Sequence, residues 1–77
     1  MAWIAEINCE DAKLNRQPTD VVAFVKIDTH NSIPIVQIDT RGSSDRENPG
    51  KQSQTIQFGK DSARKLFDIF KKTYGFE

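Results

Sequence analysis

The sequence predicts an α+β fold in which a four-stranded antiparallel meander is followed by one C-terminal helix. Four stretches alternate apolar and polar residues or are rich in β-branched residues, which is typical of strands. Near Asp61 the period of the apolar residues changes from 2 to 3.6, which is typical of an amphipathic helix. A chain of 77 residues is too short to bury two cores, so residues 1–77 are expected to form a single domain.

The strands are expected near residues 2–9, 20–28, 33–41 and 53–58. The second of them is apolar on both faces. Val22 and Phe24 share one face, and the other face carries Val21, Ala23, Val25 and Ile27. The strand is therefore expected in the middle of the sheet. Only a short turn-like THNS sequence separates it from the third strand, so the two are expected to form an antiparallel hairpin.

The helix is expected over residues 62–74. Its apolar stripe has helical spacing and consists of Ala63, Leu66, Phe67, Phe70 and Tyr74. Asp61 or Ser62 is a suitable N-cap, and Gly75 lies where a left-handed glycine ends many helices. Phe76 is expected to fold back on the last phenylalanine of the stripe or to contact a partner.

One helix covers one face of a sheet. Because the other face would still carry apolar residues, we expect a homodimer or a sheet face that receives a ligand. The net charge is zero but uneven: residues 1–40 hold three basic and six acidic side chains, and residues 41–77 hold eight basic and five acidic ones. The basic second half allows an anionic partner, although it lacks the strong positive charge of a dedicated duplex-DNA binder.

Enzyme and metal chemistry are not expected. The chain has one histidine, His30, in a turn, and one cysteine, Cys9, expected to be a small buried side chain. Asp28 and Asp39 are each expected to end a strand and to bond to local backbone groups. We expect no cofactor and no metal. The single cysteine and the absence of a long apolar run at the N-terminus favour a cytoplasmic protein without a membrane segment.

The loop after the third strand combines cations with hydroxyl and glycine groups, a composition that suits phosphate oxygens and also suits an ordinary solvated loop. The candidate phosphate contacts are Arg41, Ser43, Ser44, Arg46 and Lys51. Asp45 and Glu47 partly cancel their charge.

The C-terminal half resembles the positive-cofactor-four family of single-stranded-DNA-binding coactivators. The resemblance rests on the turn Pro49-Gly50-Lys51, the strand Thr55-Ile56-Gln57-Phe58 and the helix that follows. It implies a dimer that binds single-stranded nucleic acid on its sheet with little sequence preference. Arg41, Arg46 and Lys51 would then contact phosphates, and Trp3 or Phe24 would stack on a base. The alternative is a protein-interaction or regulatory module that uses an apolar sheet face, with both aromatic residues in the core.

Overall fold

A computed structural model describes residues 1–42 and 52–77, with only the backbone of Gln52 and Ser53. It contains four strands and one helix in the predicted sequence order. They are β1 (Ala2–Ile4), β2 (Val22–His30), β3 (Ile33–Arg41), β4 (Gln52–Phe58) and α1 (Lys60–Tyr74). The predicted α+β class with four strands and a C-terminal helix is therefore confirmed.

The sheet is mixed, so the prediction of a purely antiparallel meander is wrong. Its order is β1-β4-β3-β2, in which β2, β3 and β4 are antiparallel neighbours and β1 lies parallel to β4. The first strand also ends at Ile4 instead of residue 9, and the chain from residue 5 to residue 21 forms neither helix nor strand. Cys9 lies in this segment and is exposed, contrary to its predicted burial.

Strand β2 is an edge strand, which corrects its predicted central position. Its apolar pattern on both faces suggested burial, but every one of its residues is exposed. A tight turn joins it to β3: Asn31 and Ser32 both have positive φ, at 52° and 65°, as a two-residue type I′ hairpin turn requires. The predicted antiparallel hairpin is confirmed, with His30 paired to Ile33.

Helix α1 begins after Gly59, which makes no side-chain cap, so the predicted capping by Asp61 or Ser62 is wrong. Its C-terminus is as predicted. Gly75 is left-handed with φ of 69°, and the N–H of Phe76 donates to the carbonyl of Lys71 at 3.1 Å, as in a Schellman motif. The Phe76 ring stacks on Tyr74 with centroids 5.6 Å apart, not on Phe70 as expected.

The helix lies over one face of the sheet, which we call the helix-side face. Register and alternation place apolar residues of the two central strands and of β2 on this face, including Val36, Ile38, Ile56, Phe58, Val25 and Ile27. Within the described ranges, the one buried hydrophobic side chain is Phe58, 6% exposed. Val25 and Ile27 remain 61% and 78% exposed, so α1 shields the β4 side and leaves the β2 side bare.

An apolar groove of about 540 Å³ marks this incomplete cover. Pro34, Val36 and Phe58 form its floor, and Ala63 and Phe67 of the helix form one wall. Phe67 of this groove is about half exposed, and so is Phe70, which lines an adjoining apolar hollow. The described parts of the chain contain no helix that is long and apolar enough to cross a membrane.

Candidate nucleic-acid interface

The sheet face that points away from α1 carries a different set of side chains, and we call it the open face. Cross-strand neighbours share a face, so the register assigns to it residues from all four strands. They include Trp3, Phe24, Lys26, Asp28, Gln37, Asp39, Arg41, Thr55 and Gln57. Three of the residues predicted to contact nucleic acid, Trp3, Phe24 and Arg41, thus lie on one face.

Asp39 is the centre of a polar network on the open face. Its side chain has no exposed surface, and its Oδ1 accepts hydrogen bonds from Thr55 Oγ1 at 2.8 Å and Gln37 Nε2 at 3.0 Å. The ammonium Nζ of Lys26 lies 2.7 Å from the other oxygen, Oδ2. Gln57 Nε2 donates to Gln37 Oε1 at 2.7 Å and extends the network across the sheet. Asp39 therefore does not end its strand as predicted.

The Lys26 ammonium beside Asp39 lowers the pKa of this carboxyl below its ordinary value of 3.8. Desolvation by the surrounding side chains acts in the opposite direction, and the hydrogen bonds from Thr55 and Gln37 again lower the pKa. The carboxylate is therefore ionised at neutral pH. It holds Lys26 in a fixed position on the open face, and it also neutralises the charge that Lys26 would offer to an anion.

Phe24 and Arg41 form a stacked pair at one end of the open face. The guanidinium carbon of Arg41 lies 3.9 Å above the centroid of the Phe24 ring, a cation–π contact. Phe24 is 39% exposed and Arg41 is partly exposed. A planar guanidinium placed over an aromatic ring is able to offer its N–H groups to phosphate oxygens, and guanidinium planes also stack on bases.

Trp3 lies on the opposite edge of the sheet and is 51% exposed. Its indole ring packs against Gly59 so closely that a Cβ at that position would lie 2.9 Å from Cζ2. A larger residue at position 59 would therefore require the indole ring to shift, whereas the backbone φ of −91° at Gly59 suits any residue. Trp3 fastens β1 to the start of the helix with one part of its ring and leaves the rest accessible.

A hollow of about 300 Å³ also lies on the open face, toward the hairpin end of β2 and β3. It is lined by Lys26, Asp28, His30, Ile35, Gln37 and Gln57. His30 is the last residue of β2 instead of a turn residue, and it is exposed, as expected. Asp28 accepts a hydrogen bond from the N–H of Thr29 at 2.7 Å, which is the local backbone bond predicted for it. Amide, carboxylate and imidazole groups in one hollow offer both donors and acceptors.

The other predicted phosphate contacts, Ser43, Ser44, Arg46 and Lys51, lie outside the described residues. The described part of the chain before them includes Arg41, the last residue of β3. Among the residues that the structure describes, no group of three or more histidine, cysteine or acidic side chains is arranged to hold a metal ion.

Sequence reasoning missed the network around Asp39, although the pattern contains a signal for it. Polar residues recur with period 2 in three strands: Lys26 and Asp28 in β2, Gln37 and Asp39 in β3, and Thr55 and Gln57 in β4. Each of these three strands is recognisable from the sequence, but the register that aligns them is not. Only when β3 lies between β2 and β4 do the polar positions meet.

No family model, curated protein or solved structure matches this chain. The resemblance of its C-terminal half to the positive-cofactor-four family therefore stays a prediction.

Proposed function

We propose that this protein is a small homodimeric module that binds single-stranded DNA or RNA on its open face with little sequence preference. The observation that supports the proposal is the stack of Arg41 on Phe24, on the sheet face opposite the one helix of the described residues. Stacking surfaces and phosphate contacts recognise any base, because every base has a flat face and every nucleotide has a phosphate.

The charge of the open face limits where affinity can arise. Lys26 is paired with Asp39, so among the described cations of this face Arg41 is the one placed to contact phosphate without a carboxylate partner within ion-pair distance. Arg46 and Lys51 would supply the remaining positive charge from the loop that follows Arg41. We therefore expect binding of moderate strength that weakens steeply with salt.

Homodimer formation is proposed from the apolar surface that the chain leaves bare. Phe58 is the single buried hydrophobic residue among those described, whereas Val25, Ile27 and Phe67 are more than half exposed. Such a chain buries little apolar area by itself, and small domains of this kind gain stability by association.

The experiment is a fluorescence-anisotropy titration of a labelled 20-nucleotide single strand at two salt concentrations. Replacing Arg41, Arg46 and Lys51 together by alanine is expected to remove most of the affinity and to reduce the slope of log affinity against log salt by about 2. A control with Arg64, Lys65 and Lys72 replaced removes the same charge from the helix and is expected to bind nearly as the unchanged protein. Absence of binding by the unchanged protein at low salt would refute the proposal.

A second candidate is a protein-interaction or regulatory module, favoured by the two half-exposed phenylalanines of the helix, Phe67 and Phe70, beside the apolar residues of the helix-side face. It requires no nucleic acid. Indifference of the protein to oligonucleotides, combined with a specific co-purifying protein that is lost on replacing Phe67 by serine, would favour this function over the first.

A further inference from the structure

The free edge of β2 lacks the usual protection of a sheet edge. The strand is nine residues long and exposed throughout, and it contains no proline and no bulge in its pairing with β3. Its single lysine, Lys26, is turned to the open face and held by Asp39. Long edges with free N–H and C=O groups pair readily with another strand, and soluble proteins normally block them with such devices.

The hairpin turn determines which backbone groups point outward from β2. In a turn of this type the carbonyl of His30 accepts the N–H of Ile33, so the backbone of His30 points toward β3. Hydrogen-bonding direction alternates along an antiparallel strand. The N–H and C=O groups of Lys26 and Asp28 therefore also point inward, and those of Val25, Ile27 and Thr29 point to the free edge. One of these edge groups, the Thr29 N–H, already donates to Asp28 Oδ1 of its own chain at 2.7 Å.

We propose that the β2 edge of one protomer pairs antiparallel with the β2 edge of a second copy, with Ile27 on the twofold axis. The two Ile27 residues would exchange both backbone hydrogen bonds. In this register Lys26 of each copy lies opposite Asp28 of the other, on the open face. The pairing forms two symmetry-related ion pairs and joins the two sheets into one sheet of eight strands.

Charge selects this register over its neighbours. A twofold axis perpendicular to the sheet keeps each face continuous, so it must pass through a residue pair. An axis through Lys26 would place the two ammonium groups opposite each other, and an axis through Asp28 would do the same with two carboxylates. Like charges directly opposite are destabilising. An axis through Val25 would set Lys26 opposite Phe24 and leave both ion pairs unmade.

The side chains fit the Ile27 register in two further respects. Lys26 and Asp28 would form non-hydrogen-bonded pairs, in which the strands approach most closely and side chains meet best. Ile27, 78% exposed in the single chain, would contact its own copy on the helix-side face. Since an ammonium carries three N–H donors, Lys26 is able to contact Asp39 of its own chain and Asp28 of the other together.

This pairing rests on the homodimer of the proposed function and describes its geometry. The pairing itself requires no nucleic acid. It also makes the two open faces one surface, with the Phe24 and Arg41 stack of each copy on either side of the axis. Tests on protein freed of nucleic acid therefore separate a failure of this interface from a failure of nucleic-acid binding.

Cysteine cross-linking tests the register. In a background of Cys9→Ser, which removes the exposed native thiol, Ile27→Cys places the two thiols on residues whose Cα atoms are about 5.5 Å apart, within disulfide range. Oxidised glutathione is then expected to convert most of the protein to a covalent dimer. Val25→Cys is the matched control, because its two copies would lie about 13 Å apart. Equal cross-linking of the two variants would overturn the proposed register.

Light scattering tests the ion pairs without a cross-link. The unchanged protein is expected at twice the chain mass of 8.8 kDa. Asp28→Lys replaces both attractive pairs by repulsive ones and is expected to weaken dimerisation ten-fold or more, an effect that high salt reduces. Asp20→Lys makes the same charge change outside the sheet and is expected to leave the dimer intact. A monomer at all concentrations, or equal effects of the two substitutions, would refute the interface.

Discussion

The two faces of the sheet differ in how well their side chains are buried, and the difference is the reverse of what the position of the helix suggests. The helix-side face has a helix over it, yet Val25 and Ile27 remain largely exposed there. No helix or strand of residues 1–42 and 52–77 covers the open face, yet it contains Asp39, the most deeply buried side chain of the described chain. Burial here depends on the side chains of neighbouring strands more than on the layer above, and long polar side chains across β2, β3 and β4 surround a short carboxylate completely.

The two faces also gain their stability from different interactions. Burial of a nonpolar face stabilises the folded state in proportion to the apolar area that is removed from water. A partly covered face therefore contributes only part of that stabilisation. A polar network gains from specific contacts that are made within a single chain, as the hydrogen bonds to Asp39 Oδ1 and the ion pair with Lys26 are. The helix-side face therefore depends on very few buried side chains, and the open face depends on charge.

Replacing Phe58 by alanine should have the largest effect on stability. Phe58 is the buried hydrophobic side chain between β4 and α1, and removing such a ring costs about 3–5 kcal/mol. Urea unfolding followed by Trp3 fluorescence is expected to show the protein largely unfolded without denaturant. The matched control is Phe70→Ala. Because the Phe70 side chain is about half exposed, a loss of about 1 kcal/mol in the free energy of unfolding is expected. Equal losses would show that the helix-side face is covered more evenly than described.

Acid should weaken the open face specifically. The pKa of Asp39 is lower in the folded chain than its ordinary value of 3.8, so its contribution to stability is present above that pH and is lost as the pH falls through the lower folded value. Asp39→Asn is expected to be less stable at pH 7 and to differ less from the unchanged protein at pH 2.5. Thermal unfolding from pH 7 to pH 2.5 measures the difference.

The control for this titration is Asp20→Asn, which removes a carboxylate whose ion pair with Arg16 is 81% exposed on both sides. Exposed pairs contribute little, so its pH dependence should match that of the unchanged protein. If Asp39→Asn showed the same pH dependence as this control, the network would not be the source of stability on the open face.

The smallest expected effect is stabilising and belongs to neither face. Ser32 has φ of 65° in the hairpin turn, a conformation that costs residues with a Cβ about 1–2 kcal/mol and costs glycine almost none. After the greater entropy loss of glycine, Ser32→Gly is expected to stabilise the protein by about 0.5–1 kcal/mol, measured as an increase in Tm. Ser32→Ala keeps the strain and should give no increase. A gain with alanine would point to the lost hydroxyl instead.

Local patterns in the sequence were sufficient for the elements of the C-terminal half. The β2 and β3 hairpin, β4, and the helix with its end at Gly75 all follow from periodicity and from turn and cap residues, which act over a few positions. The first strand was predicted too long because Ala5 to Cys9 continue the alternation without a neighbouring strand to pair with.

Long-range pairing was not accessible from the sequence. The apolar residues on both faces of β2 predicted a central strand. In the structure β4 pairs with β1 on one side and β3 on the other, so β2 has only β3 as a neighbour and lies at the edge. For the same reason Trp3, Phe24 and Arg41 were recognised as separate candidates, while the register that puts them on one face with Asp39 was not. The partial exposure of Phe24 follows from its place on an edge strand.

The parallel pairing of β1 with β4 has a consequence for the order in which the chain folds. It joins the second residue of the chain to Ile56, so the intervening segment must be organised before these three residue pairs form. Closing so long a loop for so short a ladder is entropically unfavourable, and β1 is expected to dock last and detach first. Amide hydrogens of Trp3 and Ile4 should then exchange with solvent well before those of β3, and each detachment would briefly uncover a second edge on β4.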